Sequence, residues 1–127
     1  MSDLERQVPG KVQAIGIMHL VGGIMNIILA LVWALNGVLG VTYIVGVAFC
    51  CPALLLLPIG IVEIISGAKH LSKDHTGLAP PKTTAIAEIV SILGCSMFPM
   101  VFGILTLVFL SDPEVEEYYA RNQLTGY

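Results

Sequence analysis

Pro58-Ile59-Gly60-Ile61-Val62-Glu63-Ile64-Ile65-Ser66-Gly67-Ala68-Lys69 is an apolar run that holds one carboxylate and stops at a lysine. Counted back from Lys69 at helical rise, Glu63 lies about 9 Å deeper along the axis. In a bilayer-spanning helix that depth is below the headgroups. An ionisable side chain there is rare, faces protein or water rather than lipid, and marks a functional site by default. Two other residues reach a matching depth: His19 beyond Lys11 and Glu88 beyond Lys82 lie about 12 Å and about 9 Å in from their lysines. The spacing predicts three helices that bring His19, Glu63 and Glu88 to one level as an intramembrane polar cluster.

Composition sets the class. Of 127 residues, 56% are hydrophobic and 12% charged, and the mean hydropathy is +0.87, which reads as an all-α integral membrane protein of one domain. The net charge of -3 carries no basic patch, so nucleic acid is not an expected partner. The apolar run after the polar tail MSDLERQVPGK is too long for a signal-peptide core and has no small-residue cleavage site behind it, so the first helix is expected to stay as an anchor. Cys50, Cys51 and Cys95 all lie in apolar runs without metal-ligand spacing and read as buried structural thiols. The adjacent Cys50-Cys51 pair is a lipidation or redox candidate if it lies near a membrane surface. No metal and no cofactor is expected.

In chain order, residues 12–35 carry no charge and are long enough to cross a bilayer as a first span. Gly16, Gly22, Gly23, Ala30 and Ala34 permit close helix approach. Asn26 needs a hydrogen-bond partner, and Trp33 belongs at the far interface. Asn36-Gly37 is a turn signal. The apolar region 38–68 would be about 46 Å as one straight helix, against about 30 Å of hydrocarbon. The second span is therefore placed at 49–70, with 38 as an alternative start, Pro52 in its first turn and Pro58 as a kink. Residues 37–48 are then an outer hairpin or a projecting helical end. A four-segment alternative split at Pro58 leaves too few residues for its third segment.

The loop 69–83 is the polar connection. His70, Asp74 and His75 have the types of metal ligands, but in this Gly- and Pro-containing loop they read as solvated surface. Thr83 or Thr84 caps a third span at 84–110 with Pro99 as a mid-membrane kink, and Ala87, Ser91 and Cys95 form its small-residue face beside Glu88. Ser111-Asp112-Pro113-Glu114 reads as a capping box for an interfacial helix over 112–122, with Val115, Tyr118 and Tyr119 on one face. Three spans put Arg6, Lys11, Lys69, Lys73 and Lys82 on one side and Arg121 on the other. The positive-inside rule then makes the N-terminus and the 69–83 loop cytoplasmic and the C-terminus external or periplasmic. Trp33, Tyr43, Tyr118, Tyr119 and Tyr127 would form an aromatic belt on that second side.

Ile15-Gly16-Ile17-Met18-His19 echoes Ile59-Gly60-Ile61-Val62-Glu63, and Ile86-Ala87-Glu88 is a weaker third copy. Common packing demands explain these echoes better than duplication. The pairing of Ile17-Met18 with Pro58-Ile59-Gly60-Ile61 and Ile64-Ile65-Ser66-Gly67 resembles the membrane-spanning four-domain family, the tetraspan group containing a B-lymphocyte surface antigen, over residues 12–71. This chain departs from that group in having three predicted spans and in carrying Glu63 inside the second motif. The resemblance implies oligomeric, non-enzymatic membrane proteins that modulate signalling or ion flux, and no catalytic residues carry over. The Ser-Asp-Pro-Glu-Val exit is also similar to the ends of small uncharacterised bacterial polytopic membrane proteins.

The expected function is a structural or accessory subunit. Its small-residue faces (Gly16, Gly22, Gly23, Gly60, Gly67, Ala87, Ser91, Cys95) would pack against a second copy or a larger membrane complex, with lipid as its surroundings. The alternative is a proton or cation pathway through His19, Glu63 and Glu88, against which stands the scarcity of polar residues in the outer half. An enzyme is not expected, since no nucleophile with an adjacent base, phosphate loop or metal spacing is present.

Overall fold

The computed structural model describes residues 8–39 and 45–124. Tyr43, Tyr127 and Arg6 lie outside them, as does the middle of the proposed 37–48 hairpin. The described chain is helical: α1 (Gly10–Leu39), α2 (Val45–Leu71), α3 (Lys82–Val90), a 3₁₀ turn (Ser91–Gly94), α4 (Met97–Leu110) and α5 (Pro113–Leu124). Gly10–Leu39 and Cys51–Leu71 are each long and apolar enough to cross a membrane, and α4 and α5 form a bent pair that meets at 81°. α1 continues through the expected Asn36-Gly37 turn, where the Asn36 side-chain amide donates back to the Val32 carbonyl one turn earlier at 2.7 Å. α2 begins at Val45, ahead of residue 49, so Pro52 lies in its interior with Pro58 rather than in its first turn.

α1 and α2 run antiparallel along a seam of glycines. A Cβ at Gly23 would stand 2.7 Å from the Gly60 carbonyl oxygen, and one at Gly60 would stand 2.8 Å from the Gly23 oxygen. One helical repeat away, a Cβ at Gly67 would meet the Leu20 amide nitrogen at 2.7 Å. Backbones this close exclude any side chain at the seam, the packing that lipid-embedded helices use when no hydrophobic driving force separates protein from solvent. On α2 the buried positions Leu56, Gly60, Glu63, Gly67 and His70 alternate in steps of four and three, so one stripe carries both the glycines and the polar residues.

The expected continuous helix 84–110 is instead a helical hairpin. α3 stops at Val90, the 3₁₀ turn follows, and Cys95 adopts a left-handed conformation with φ 61°. Pro99 explains the break: in a continuous helix its ring would clash with the carbonyl of residue 95, whereas in the first turn of α4 its missing N–H has no partner to lose. Gly94 fixes where the hairpin tip can rest, since a Cβ there would stand 2.6 Å from Leu56 Cγ. The Ser91 hydroxyl donates to the Glu88 carbonyl at 2.5 Å and closes the end of α3. Coming back, α4 lies against α1 and α3, and Gly103 sits directly on the Ala85 carbonyl and the Glu88 side chain. The small-residue face does not survive as one surface: Ser91 is buried, Ala87 is half-buried and Cys95 is exposed on the tip.

Cys95 tests the tip. A left-handed conformation costs an L-residue about 1–2 kcal/mol, which glycine avoids at the expense of more freedom when unfolded. Cys95→Gly is expected to raise the thermal midpoint of the detergent-solubilised protein, with a net gain of about 1 kcal/mol; a lower midpoint would show that the thiol itself stabilises the turn.

The C-terminal helix returns to the start of the chain. Val115, Tyr118 and Tyr119 are buried against Val12, Ile15 and Leu78. Lys11 pairs with Asp112, and the Gly77 amide donates to the Asn122 carbonyl at 2.9 Å. Asp112 rather than Ser111 caps α5, its carboxylate accepting the Glu114 amide at 3.1 Å, while the Ser111 hydroxyl donates to Leu107. Tyr118 and Tyr119 are therefore interior residues at the α1 end that holds Lys11, not interfacial anchors beside Trp33.

Candidate functional site

The first polar group inside the bundle is a strut between the two long helices. The Asn26 side-chain N–H group on α1 donates to both Glu63 oxygens on α2, each at 2.9 Å. The Asn26 carbonyl accepts from the hydroxyl of Ser96 at the hairpin tip at 2.5 Å. Asn26 thus uses its amide to hold α2 and its carbonyl to hold the tip. Two turns down, His19 Nδ1 and Glu88 Oε1 are hydrogen-bonded at 2.7 Å, joining α1 to α3. His19, Asn26, Glu63 and Glu88 are all fully buried.

Gly22 separates these two pairs. A Cβ there would stand 3.2 Å from Glu88 Oε1 and 3.6 Å from Glu63 Oε2, so the carboxyl groups approach each other over a bare backbone. Among the described residues, buried His19 Nε2 and Glu88 Oε2 have no hydrogen-bond partner, nor has Thr106 Oγ1 on α4.

Below this level the polar groups continue toward α5. The His19 ring meets the His70 ring edge-on, with centroids 6.2 Å apart. His70 Nδ1 donates to the Ser66 carbonyl at 2.7 Å, which leaves Nε2 to accept from the Tyr119 hydroxyl at 2.8 Å. Burial pushes the Tyr119 phenol up, so it remains a donor. His75 Nδ1 pairs with the Tyr118 hydroxyl, and the two tyrosine rings are in edge contact at 5.9 Å. At the surface, the Lys11 ammonium holds the Asp112 carboxyl below the usual carboxylate range. The result is a polar column from Ser96 through Glu63, Glu88, His19 and His70 to the two tyrosines of α5.

Read against the sequence, the structure brings His19, Glu63 and Glu88 together. Gly16, Gly23, Gly60 and Gly67 lie in the α1–α2 seam, and Gly22 faces the hairpin. Trp33 is half-buried, its indole N–H donating to the Gly94 carbonyl at 3.2 Å, so it secures the tip rather than serving only as an interface anchor. His70 and His75, expected in a solvated loop, are 3% and 8% exposed, each paired with a tyrosine of α5. Sequence reading missed these two histidines. Buried Leu78, between flanking glycine and prolines, was the local sign that the loop folds inward. Neither threonine caps α3, whose N-cap is Pro81. Among the described residues, no group of three or more His, Cys, Asp or Glu is arranged to hold a metal ion. The chain matches no known family, no characterised protein and no solved structure.

Proposed function

We propose that this chain is a non-enzymatic integral membrane scaffold that serves as a subunit of a homo- or hetero-oligomeric membrane assembly, its buried polar groups acting as struts. One observation carries the reading: the hydrogen bonds of the inner cluster each join different elements, α1 to α2, α1 to the hairpin tip and α1 to α3. Exposed apolar side chains such as Ile28, Leu31, Leu54, Phe98 and Val108 cover the outside, which is the surface of a body that packs in lipid or against other spans. Mass analysis of the protein extracted in nanodiscs is expected to find a second copy or a co-eluting membrane partner, and a lone monomer would count against the assembly.

The topology that goes with it has two crossings and a hairpin that dips about 21 Å into the bilayer and returns. Supporting this, α5 lies beside Lys11 and the 69–83 loop, which gathers Lys11, Lys69, Lys73, Lys82 and Arg121 at one end, and residues 34–68 contain no Lys or Arg. The positive-inside rule assigns that end to the cytoplasm. Reporter fusions at the two termini are therefore expected to respond from the same side; a C-terminal reporter active only on the opposite face would replace the hairpin with a third crossing.

A second reading has its own observation. The unpartnered His19 Nε2 and Glu88 Oε2 lie in the column that leads to α5, which is the arrangement of a proton path with access from one side. Among the described residues the column reaches Ser96. Proton flux in proteoliposomes that is lost in Glu88→Gln would favour this reading over the strut.

A further inference from the structure

Outside the inner cluster, a cavity of about 540 Å³ opens between the end of α2 and the start of α3, roofed by the 72–81 loop. We infer that it is a binding site for the headgroup of an aminophospholipid, a phosphodiester carrying a primary ammonium. The wall toward the bilayer is Val62 and Ile65, both about half-exposed on the outer face of α2, which suits an acyl chain running along that helix. The other end is polar. Lys69 lines that end with the start of α3, where, among the described residues, the Thr83 and Thr84 amides have no backbone acceptor and no side chain caps the helix. Amides at a helix N-terminus together with an ammonium form a phosphate site.

Thr84 supplies an independent sign of a ligand. It is 7% exposed, lines the cavity, and its hydroxyl makes no hydrogen bond among the described residues. A threonine so enclosed normally finds an acceptor, and a phosphate oxygen in the cavity provides one. Lys69 and Asp74 are the two charged side chains of opposite sign that line the space. Asp74 accepts the Thr76 amide at Oδ1 at 2.9 Å and the Thr76 hydroxyl as well, which holds it below the usual carboxylate range, so it stands at the cavity wall as an anion with lone pairs left for a further donor. A cation beside an anion matches a zwitterionic headgroup, and a carboxylate acceptor favours a primary ammonium that can donate over a trimethylated one that cannot.

The test uses the full chain in detergent with native mass spectrometry, titrating phosphatidylethanolamine, phosphatidylcholine and phosphatidylglycerol of the same acyl composition, and inorganic phosphate. Phosphatidylethanolamine is expected to bind about tenfold more tightly than the other two lipids, the scale of one charge-assisted hydrogen bond. Lys69→Gln, at an exposed position, and Thr84→Val are each expected to weaken it by about tenfold. Asp74→Asn is expected to abolish the preference over phosphatidylcholine while keeping binding, and Lys73→Gln, outside the cavity, to change nothing. Equal binding of all three lipids, no loss in Lys69→Gln, or displacement of the lipid by millimolar inorganic phosphate would overturn the assignment.

Discussion

Gly60→Val is expected to part α1 from α2 and to lower the stability of the detergent-solubilised protein by about 3 kcal/mol, the upper range for overpacking. The reason is what stands opposite. The nearest atoms to a Cβ at Gly60 are the Gly23 carbonyl oxygen at 2.8 Å, Ile27 Cγ1 at 2.9 Å and the Ile27 amide nitrogen at 3.2 Å. Two of the three are backbone and have no alternative rotamer. Relief requires the helices to move apart over the whole seam, which would also stretch the Asn26–Glu63 strut. Gly10→Ala is the matched control, since nothing lies within 4 Å of its added Cβ; it should be neutral or slightly stabilising through helix propensity. Unfolding titrations of the two variants check the contrast, and equal midpoints would mean that the seam is looser than its glycines imply.

The second large effect is an interaction energy. His19→Leu leaves Glu88 buried with neither oxygen satisfied, and Glu88→Leu leaves the His19 ring with neither nitrogen satisfied. Breaking one side of a buried pair of this kind costs about 3–5 kcal/mol, whereas replacing both sides by apolar groups is often close to neutral. The double variant His19→Leu/Glu88→Leu is therefore expected to recover to within about 1 kcal/mol of the parent while each single variant loses about 3 kcal/mol. The strut reading depends on that recovery. Two stable single variants that differ from the parent only in proton flux would instead make the pair a transport element.

How much of this could be read in advance depends on the range of the interaction. Depth relative to a flanking lysine is a local quantity, and it sufficed to put His19, Glu63 and Glu88 at one level. Glycine spacing on α1 and α2 likewise points to a close contact, because nothing else in lipid draws two backbones together. The hairpin was not legible. A crossing and a dipping pair of helices have the same hydropathy over 84–110, and Pro99 reads equally well as a kink or as a helix start. The decisive fact, Gly94 resting on Leu56 with Trp33 above it, is tertiary. The docking of α5 was hidden for the same reason. His70 and Tyr119 are 49 positions apart and His75 and Tyr118 are 43, and an imidazole–phenol pair leaves no periodic trace.

The brevity of α3 dictates how the molecule must be made. A helix of nine residues is too short to halt in a translocon as a membrane segment of its own, since about 20 apolar residues are needed to do so. The carboxyl group it carries resists partitioning into hydrocarbon by itself. Under the proposed two-crossing topology, α3 and the tip would enter only after α1 and α2, when His19 and Asn26 can receive Glu88 and Ser96.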